Sequence, residues 1–379
     1  MEIKNREDLV LFLESIIDNV ETDKDTLFMG VIKGENDSIG HLNISTELSI
    51  QYQLNFKDSG EKQPLKISLH LKDFLNIIKF QETENLIFEL KEDYLIIPNE
   101  FGYFHINYYK ETTPLGFIDM SKSTIVEVDE EKLKDGILYV KNFQSETEIG
   151  DMKDNLCLNY IISVKNSELI LLCTNRHILG RYKIKLDEPI DNVNLHYIIP
   201  KSTFNLLTAY SDQSNKVKLI FSGDQLLIKI DNLFILTKLQ TFEFIFDDLL
   251  PKKVNFTISL DTESIKSIKR LFSLNNLTEW GTITSLDYSP KEDTLTICPF
   301  IKGQFKGYLT IPLPKQSNNK DLSLEFMSLY LKLMFSLLDV NKPSCKLIVN
   351  YEQRTLISFQ KGKENTTKTS ILMPVIPRE

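Results

Sequence analysis

The stretch "LILLCTNRHILGRYKIKL", residues 169–186, sets a histidine, two arginines and an asparagine inside an otherwise apolar run. Histidine titrates nearest neutrality of all side chains, so His177 invites an acid–base reading. That chemistry needs company: a nucleophile with its base, or further metal ligands. None is spelled nearby. The cysteines Cys157, Cys173, Cys298 and Cys345 are scattered without a CxxC pair, and the five histidines are dispersed. Reduced, mostly buried thiols and no metal or other cofactor are expected. Glycine-rich phosphate loops, GxSxG and HExxH are absent. The acidic runs at 129–131 and 246–248 could be offered as metal ligands of a nuclease, with Asp247 as the residue to test. Each reads better as a helix start or a turn. The chain is expected not to be an enzyme, and the polar knot at 174–177 reads as part of a recognition surface.

The elements that must carry this knot form a repeat. "LKISLHLKDFLNIIKF" (65–80) reads as a strand followed by an amphipathic helix, with two alternating runs after it. The order recurs at 194–211 and 322–338. Shorter strand–helix pairs lie at 124–143 and 256–274, and the opening "MEIKNREDLVLFLESIIDNV" is a sixth instance. Helices are expected to start near residues 6, 71, 130, 201, 261 and 326, about sixty apart. Pro200 before Lys201 and Asp261 before Ser264 suit helix starts. Six strand–helix–strands units taken in pairs predict an α+β protein of three pseudo-repeated domains, with boundaries giving 1–122, 123–252 and 253–379.

These helices carry two stripes. Ile265, Ile268 and Phe272 form an apolar one, beside Lys266, Lys269 and Arg270. Leu133, Ile137 and Val140 form another, with Lys132, Lys134 and Lys141 around them. Lys72, Lys79, Lys201 and Lys332 add further basic points. Such lysines either solvate a helix face or present dispersed charge to a duplex backbone without reading bases. The net charge of −9 over 379 residues argues against a basic coat but leaves room for one basic face. No apolar run approaches the roughly 20 residues that cross a bilayer. The N-terminus carries acidic residues where a signal peptide would not, so a cytoplasmic protein without membrane partners is expected.

Several local matches, in order and spacing, resemble one family. "LLCTNRHILGRYKIKL" is similar to the T-D-G-H-R-L-A segment of the bacterial DNA polymerase III beta subunit, the beta sliding clamp. Thr174, His177 and Leu179 are retained in it. "YIIPKSTFNLL" resembles the family's I-I-P-x-K helix entry, "LFILTKLQTFEFIFDDLLPKK" its strand-to-boundary stretch, and "TSILMPVIPRE" its closing segment. The resemblance is clear over 123–379 and carried mainly by the repeat over 1–122.

It implies the DNA clamp fold: a head-to-tail homodimeric ring around double-stranded DNA, with the helices lining the hole. A sliding ring needs weak, numerous phosphate contacts, which dispersed lysines suit. Its clients would be the polymerase III alpha subunit and the clamp loader, each inserting a short motif such as Gln-x-x-Leu-Phe between domains two and three. The matching pocket positions are Leu158, Thr174, Arg176, His177, Ile178, Leu179, Pro251, Ile371, Leu372 and Met373. The matching ring interface sets Phe104 and Ile106 opposite Leu271 and Phe272. In the domain-two loop "GDMKDNLC", Lys153 is the plausible phosphate contact.

The sequence departs from the family where Asn175-Arg176 replaces Asp-Gly. Loss of a glycine predicts a different path for this loop. A second reading is a clamp-fold interaction protein that binds client motifs, or the replicative clamp, without encircling DNA.

Overall fold

The computed structural model describes residues 2–3, 6–19, 26–33, 38–45, 48–57, 65–109, 123–145, 155–165, 167–190, 194–210, 216–241, 256–273, 282–301, 304–305, 307–313, 321–342, 345–350, 355–362 and 364–372. Pro251, Met373, Lys153 and Asp247 lie outside them. Seven helices occur among the described residues: α1 (Arg6–Asn19), α2 (Leu71–Phe80), α3 (Glu130–Lys141), α4 (Asn155–Leu158), α5 (Lys201–Ala209), α6 (Thr262–Phe272) and α7 (Ser328–Ser336). Apart from the single-turn α4, their starts fall within two residues of those expected from the repeat.

Local chemistry explains the starts. The Asp129 carboxylate accepts the Lys132 amide at 2.9 Å, and Asp261 accepts the Ser264 amide at 2.8 Å. Each satisfies one of the orphan N–H groups of a first helical turn. The Ser264 amide also holds the Asp261 carboxyl below the usual carboxylate range. The acidic run at 129–131 is thus a helix start. No group of three or more potential metal ligands occurs among the described residues.

The chain packs as two compact units, Met1–Lys134 with Ile199–Thr241, and Asp135–Ile198 with Phe242–Glu379. In the first, an antiparallel sheet runs Thr124–Asp129, Lys216–Ser222, Gln225–Ile230, Leu233–Lys238, Ser49–Lys57, Ser38–Ser45, Thr26–Lys33 and Leu65–His70 in spatial order. A separate three-stranded sheet, Glu89–Leu90, Tyr94–Asn99 and Gly102–Asn107, has the last of these at its edge. Helix α1 buries Leu9, Phe12, Leu13 and Ile16, with Phe12 edge-on to Tyr210 at 6.3 Å.

In the second unit, the large sheet includes Tyr160–Lys165, Glu168–Thr174, Ile178–Lys185, Thr366–Leu372, Thr355–Lys361, Cys345–Asn350 and Phe256–Leu260, in that order. A five-stranded sheet around Thr282–Ser289 and Thr294–Ile301 packs with α6 and α7. Gly180 lies against the Phe143 ring so closely that a Cβ there would overlap it. Here glycine is required by space, since no side chain fits between strand and ring.

Each unit contains one sheet joint that crosses an expected domain boundary. Leu233–Leu236 pairs with Ser49–Tyr52 in the first unit, and Ile178–Ile184 pairs with Thr366–Leu372 in the second. Packing therefore divides the chain inside the 123–252 segment, whereas the repeat divides it at the ends of that segment. No helix among the described residues is long and apolar enough to cross a membrane.

Candidate partner-binding site and basic helices

The polar knot is the turn of a hairpin in the second unit. Glu168–Thr174 and Ile178–Lys185 pair antiparallel, with Thr174 opposite Leu179. The Asn175 side-chain oxygen accepts the amides of His177 at 3.1 Å and Ile178 at 3.0 Å. The Thr174 hydroxyl donates to the Ile178 carbonyl at 3.0 Å and accepts the Arg176 amide at 3.1 Å. Thr and Asn thus build the turn, as their short polar side chains favour. Arg176 takes φ 77°, the left-handed region. The left-handed step that a glycine would supply is taken by Arg176, which bears its strain.

With the turn built, His177 and Arg176 are exposed above it. The His177 ring stacks on Tyr330 of α7 at 5.0 Å and 16°. Tyr330 is 8% exposed, and burial pushes its pKa up. Sequence reasoning missed Tyr330, which lies 153 residues along the chain.

Beneath the turn, Ile178 sits opposite Leu372 and Leu179 opposite Ile371. All four are fully buried. Leu179 and Ile371 join Ile161, Ile170, Leu172 and Ile357 in one cluster, against which Leu156 of α4 packs. Leu158 ends that same turn of helix half-buried, its carbonyl accepting the Gln144 amide at 3.5 Å. The described candidate pocket residues therefore fall into two sets. Thr174, Arg176, His177 and Leu158 offer surface, while the other four are buried, Ile178 and Leu372 on one face of the sheet and Leu179 and Ile371 on the other. Joined by an aromatic wall, these suit a short motif with an apolar anchor and polar rim.

The basic residues also divide. Lys134 pairs with Glu130 at 2.6 Å and donates to the Tyr210 carbonyl. Lys269 donates to the carbonyls of Ser336 and Leu338 at 2.9 and 2.6 Å, closing the C-terminal end of α7. Desolvation lowers the Lys269 pKa, opposed by the nearby Asp339 carboxylate and assisted by Lys368. Lys79 pairs with Glu14 at 2.5 Å, and Lys266 with Glu263 at 2.9 Å. Lys72, Lys141, Lys201 and Arg270 are exposed, whereas Lys132 and Lys332 are half-buried.

The candidate interface residues behave differently in the two units. Phe272 is 2% exposed and stacks on Phe335 at 6.0 Å, with Leu271 half-buried beside it. Ile106 is buried, but Phe104 is half-buried at the sheet edge, edge-on to Phe80 at 5.5 Å. Phe80 itself is 61% exposed.

Comparison with known proteins places this geometry. Residues 145–244 match the family model of the DNA polymerase III beta subunit, central domain. A 239-residue stretch is 26% identical to the beta sliding clamp of Mycoplasmopsis pulmonis (strain UAB CTIP), spanning 62% of this chain and 61% of that relative. The whole chain superposes on the DNA polymerase sliding clamp from Bacillus subtilis with a TM-score of 0.79 at 18% identity, covering 100% of this chain and 99% of the other. The DNA polymerase III subunit beta from Pseudomonas aeruginosa gives 0.80 at 14% identity, covering 99% and 100%. The fold is that of a DNA sliding clamp. Residues 145–244 are similar to the DNA polymerase III beta subunit's central domain, and the chain spans less than two thirds of the length of the curated relative it matches.

Proposed function

We propose that this protein is a processivity clamp: a ring of two copies that encircles duplex DNA and tethers a replicative polymerase and its loader through the hairpin site. The observation that carries the reading is likeness in fold to sliding clamps over 99–100% of the chain. It has no chemistry of its own, and works by topology. Sequence-independent retention calls for basic side chains at the surface, so the exposed Lys72, Lys141, Lys201 and Arg270 are the foremost contacts, with the half-buried Lys132 and Lys332 behind them. Lys134 and Lys269 serve the helices first.

The client motif lies against Leu158, Thr174, Arg176 and His177, with Tyr330 as the aromatic wall. Ring closure uses the edge strand Gly102–Asn107, whose outer edge has no strand partner among the described residues, and the exposed Phe80 beside half-buried Phe104, both of which need covering. The partner copy's third domain around Leu271 is the surface it meets.

The test is retention on DNA. With its loader, the protein should stay on a nicked circular plasmid through gel filtration and fall off once the plasmid is cut. Equal retention on cut and circular DNA, or none on either, would leave the non-encircling reading. A fluorescent Gln-Leu-Ser-Leu-Phe peptide should bind saturably, and His177→Ala with Leu158→Ser should weaken it; unchanged affinity removes those residues from the site.

A further inference from the structure

The three-stranded sheet of the first unit carries on one face a feature that the clamp reading does not use. Ile96 pairs with both Glu89 and His105, and Pro98 with Tyr103, so their side chains share that face. There the His105 ring lies between two tyrosines, stacked on Tyr94 at 4.6 Å and 28° and on Tyr103 at 5.0 Å and 21°. This ladder is on the surface: Tyr103 is 65% exposed, His105 is exposed, and Phe101 in the adjoining turn is 89% exposed. The opposite face is spent on packing, with Leu95, Ile97 and Ile106 buried.

Charge decides what such a platform takes. Residues 81–107 hold six carboxylates against one lysine, net −5 of the chain's −9. Lys91 is already paired with Glu89 at 3.1 Å. Glu92 and Asp93 lie in the turn beside Tyr94, and Glu100 in the turn beside Tyr103. The ladder therefore runs from one acidic turn to the other. Nucleic acid, which would stack on the rings, is repelled by this field. A cation is favoured twice, by the π-faces and by the carboxylates at either end.

We propose that this outer face docks a basic, extended segment of a partner protein, its Arg or Lys side chains lying over the Tyr94–His105–Tyr103 ladder. The ladder's length matches roughly three residues of extended chain at ~3.3 Å each. Two basic residues separated by one other would reach both ends. Arginine fits better than lysine, because its planar guanidinium stacks on a ring while pairing with a carboxylate at its edge.

The test uses the full chain and a fluorescein-labelled Gly-Ser-Arg-Ser-Arg-Ser-Arg-Gly peptide, with a Glu-for-Arg peptide and a single-stranded oligonucleotide of similar length as the other arms. Saturable binding of the arginine peptide alone is expected. It should weaken at least about fivefold in Tyr103→Ser/His105→Ser, in line with two exposed cation–π contacts. A similar loss is expected in Glu92→Gln/Glu100→Gln. Both variants alter exposed groups, so circular dichroism and melting should match the parent. Absent binding, equal binding by the variants, preference for the oligonucleotide, or a changed oligomeric state in Tyr103→Ser/His105→Ser would each overturn the proposal.

Discussion

Phe80 and Phe272 are each the last residue of a strand-fed helix, yet one is 61% exposed and the other 2%, Phe272 lying on its helix's buried stripe and Phe80 off it. Helix α6 has α7 beside it, and Phe272 closes on Phe335. Helix α2 has α1 beside it, Glu14 pairing with Lys79, yet Phe80 turns to a sheet edge and touches half-buried Phe104. A repeat unit is therefore not a unit of packing. The last residue of such a helix is core where its ring closes on a neighbouring helix and surface where it turns to an edge strand. On the proposed function, that open position is the one a second copy closes.

The sharpest way to break the comparison is truncation at both sites. Phe272→Ala should cost about 3–5 kcal/mol in urea unfolding, the usual range for deleting a buried aromatic ring. Phe80→Ala should cost less than about 1 kcal/mol but shift sedimentation towards monomer. Equal losses of stability would mean that the two helix ends are equivalent after all.

Alkaline pH sharpens the contrast between the units. Burial pushes the Cys345 thiol up to about 12 from an ordinary 9.0, and Cys173 and Tyr139 of the same unit are raised for the same reason. The unfolded chain then releases protons that the folded one keeps. Stability falls as pH rises from about 9 towards about 12, by ~1.4 kcal/mol per pH unit for one such group. Hydrogen exchange should find the second unit loosening first, and Cys345→Ala should shallow the slope; an unchanged slope removes that thiol from the account.

Two lysines test the same division among charges. Lys269→Met should lower the urea midpoint by the equivalent of about 1–2 kcal/mol, because two carbonyls at the end of α7 lose a charged donor. Lys141→Met should leave unfolding unchanged and reduce DNA retention at moderate salt. The smallest effect is expected at the turn: Arg176→Gly should raise stability by up to about 1 kcal/mol, relieving φ 77° at the expense of a more flexible unfolded chain. Destabilisation there would show that the arginine side chain holds the turn.

Much of this arrangement was legible in the residues. Helix starts followed from Asp129 and Asp261, whose carboxylates act within three positions. The hairpin knot carried a local signal as well, since the Thr174 and Asn175 side chains bond their own loop, but in the sequence it reads as a recognition surface and not as a turn. The apolar stripes announced which faces of α3 and α6 turn inward. Such signals are short-range, so a single chain segment contains both partners. Tyr330 under His177, the carbonyls that hold Lys269, and the Phe143 ring over Gly180 had no such signal. Their partners stand 153, 67 and more, and 37 residues away.

The sequence by itself determined the elements, their order and the residues of the turn, because caps, periodicity and side-chain-to-backbone bonds are local. Tertiary structure alone decided which equal-looking residues became core and which stayed surface. Burial is conferred by whatever element packs on top: the stripe that Phe272 shares with Ile265 and Ile268 marks the inward face of α6, but nothing along the chain says that the Phe335 ring closes over it.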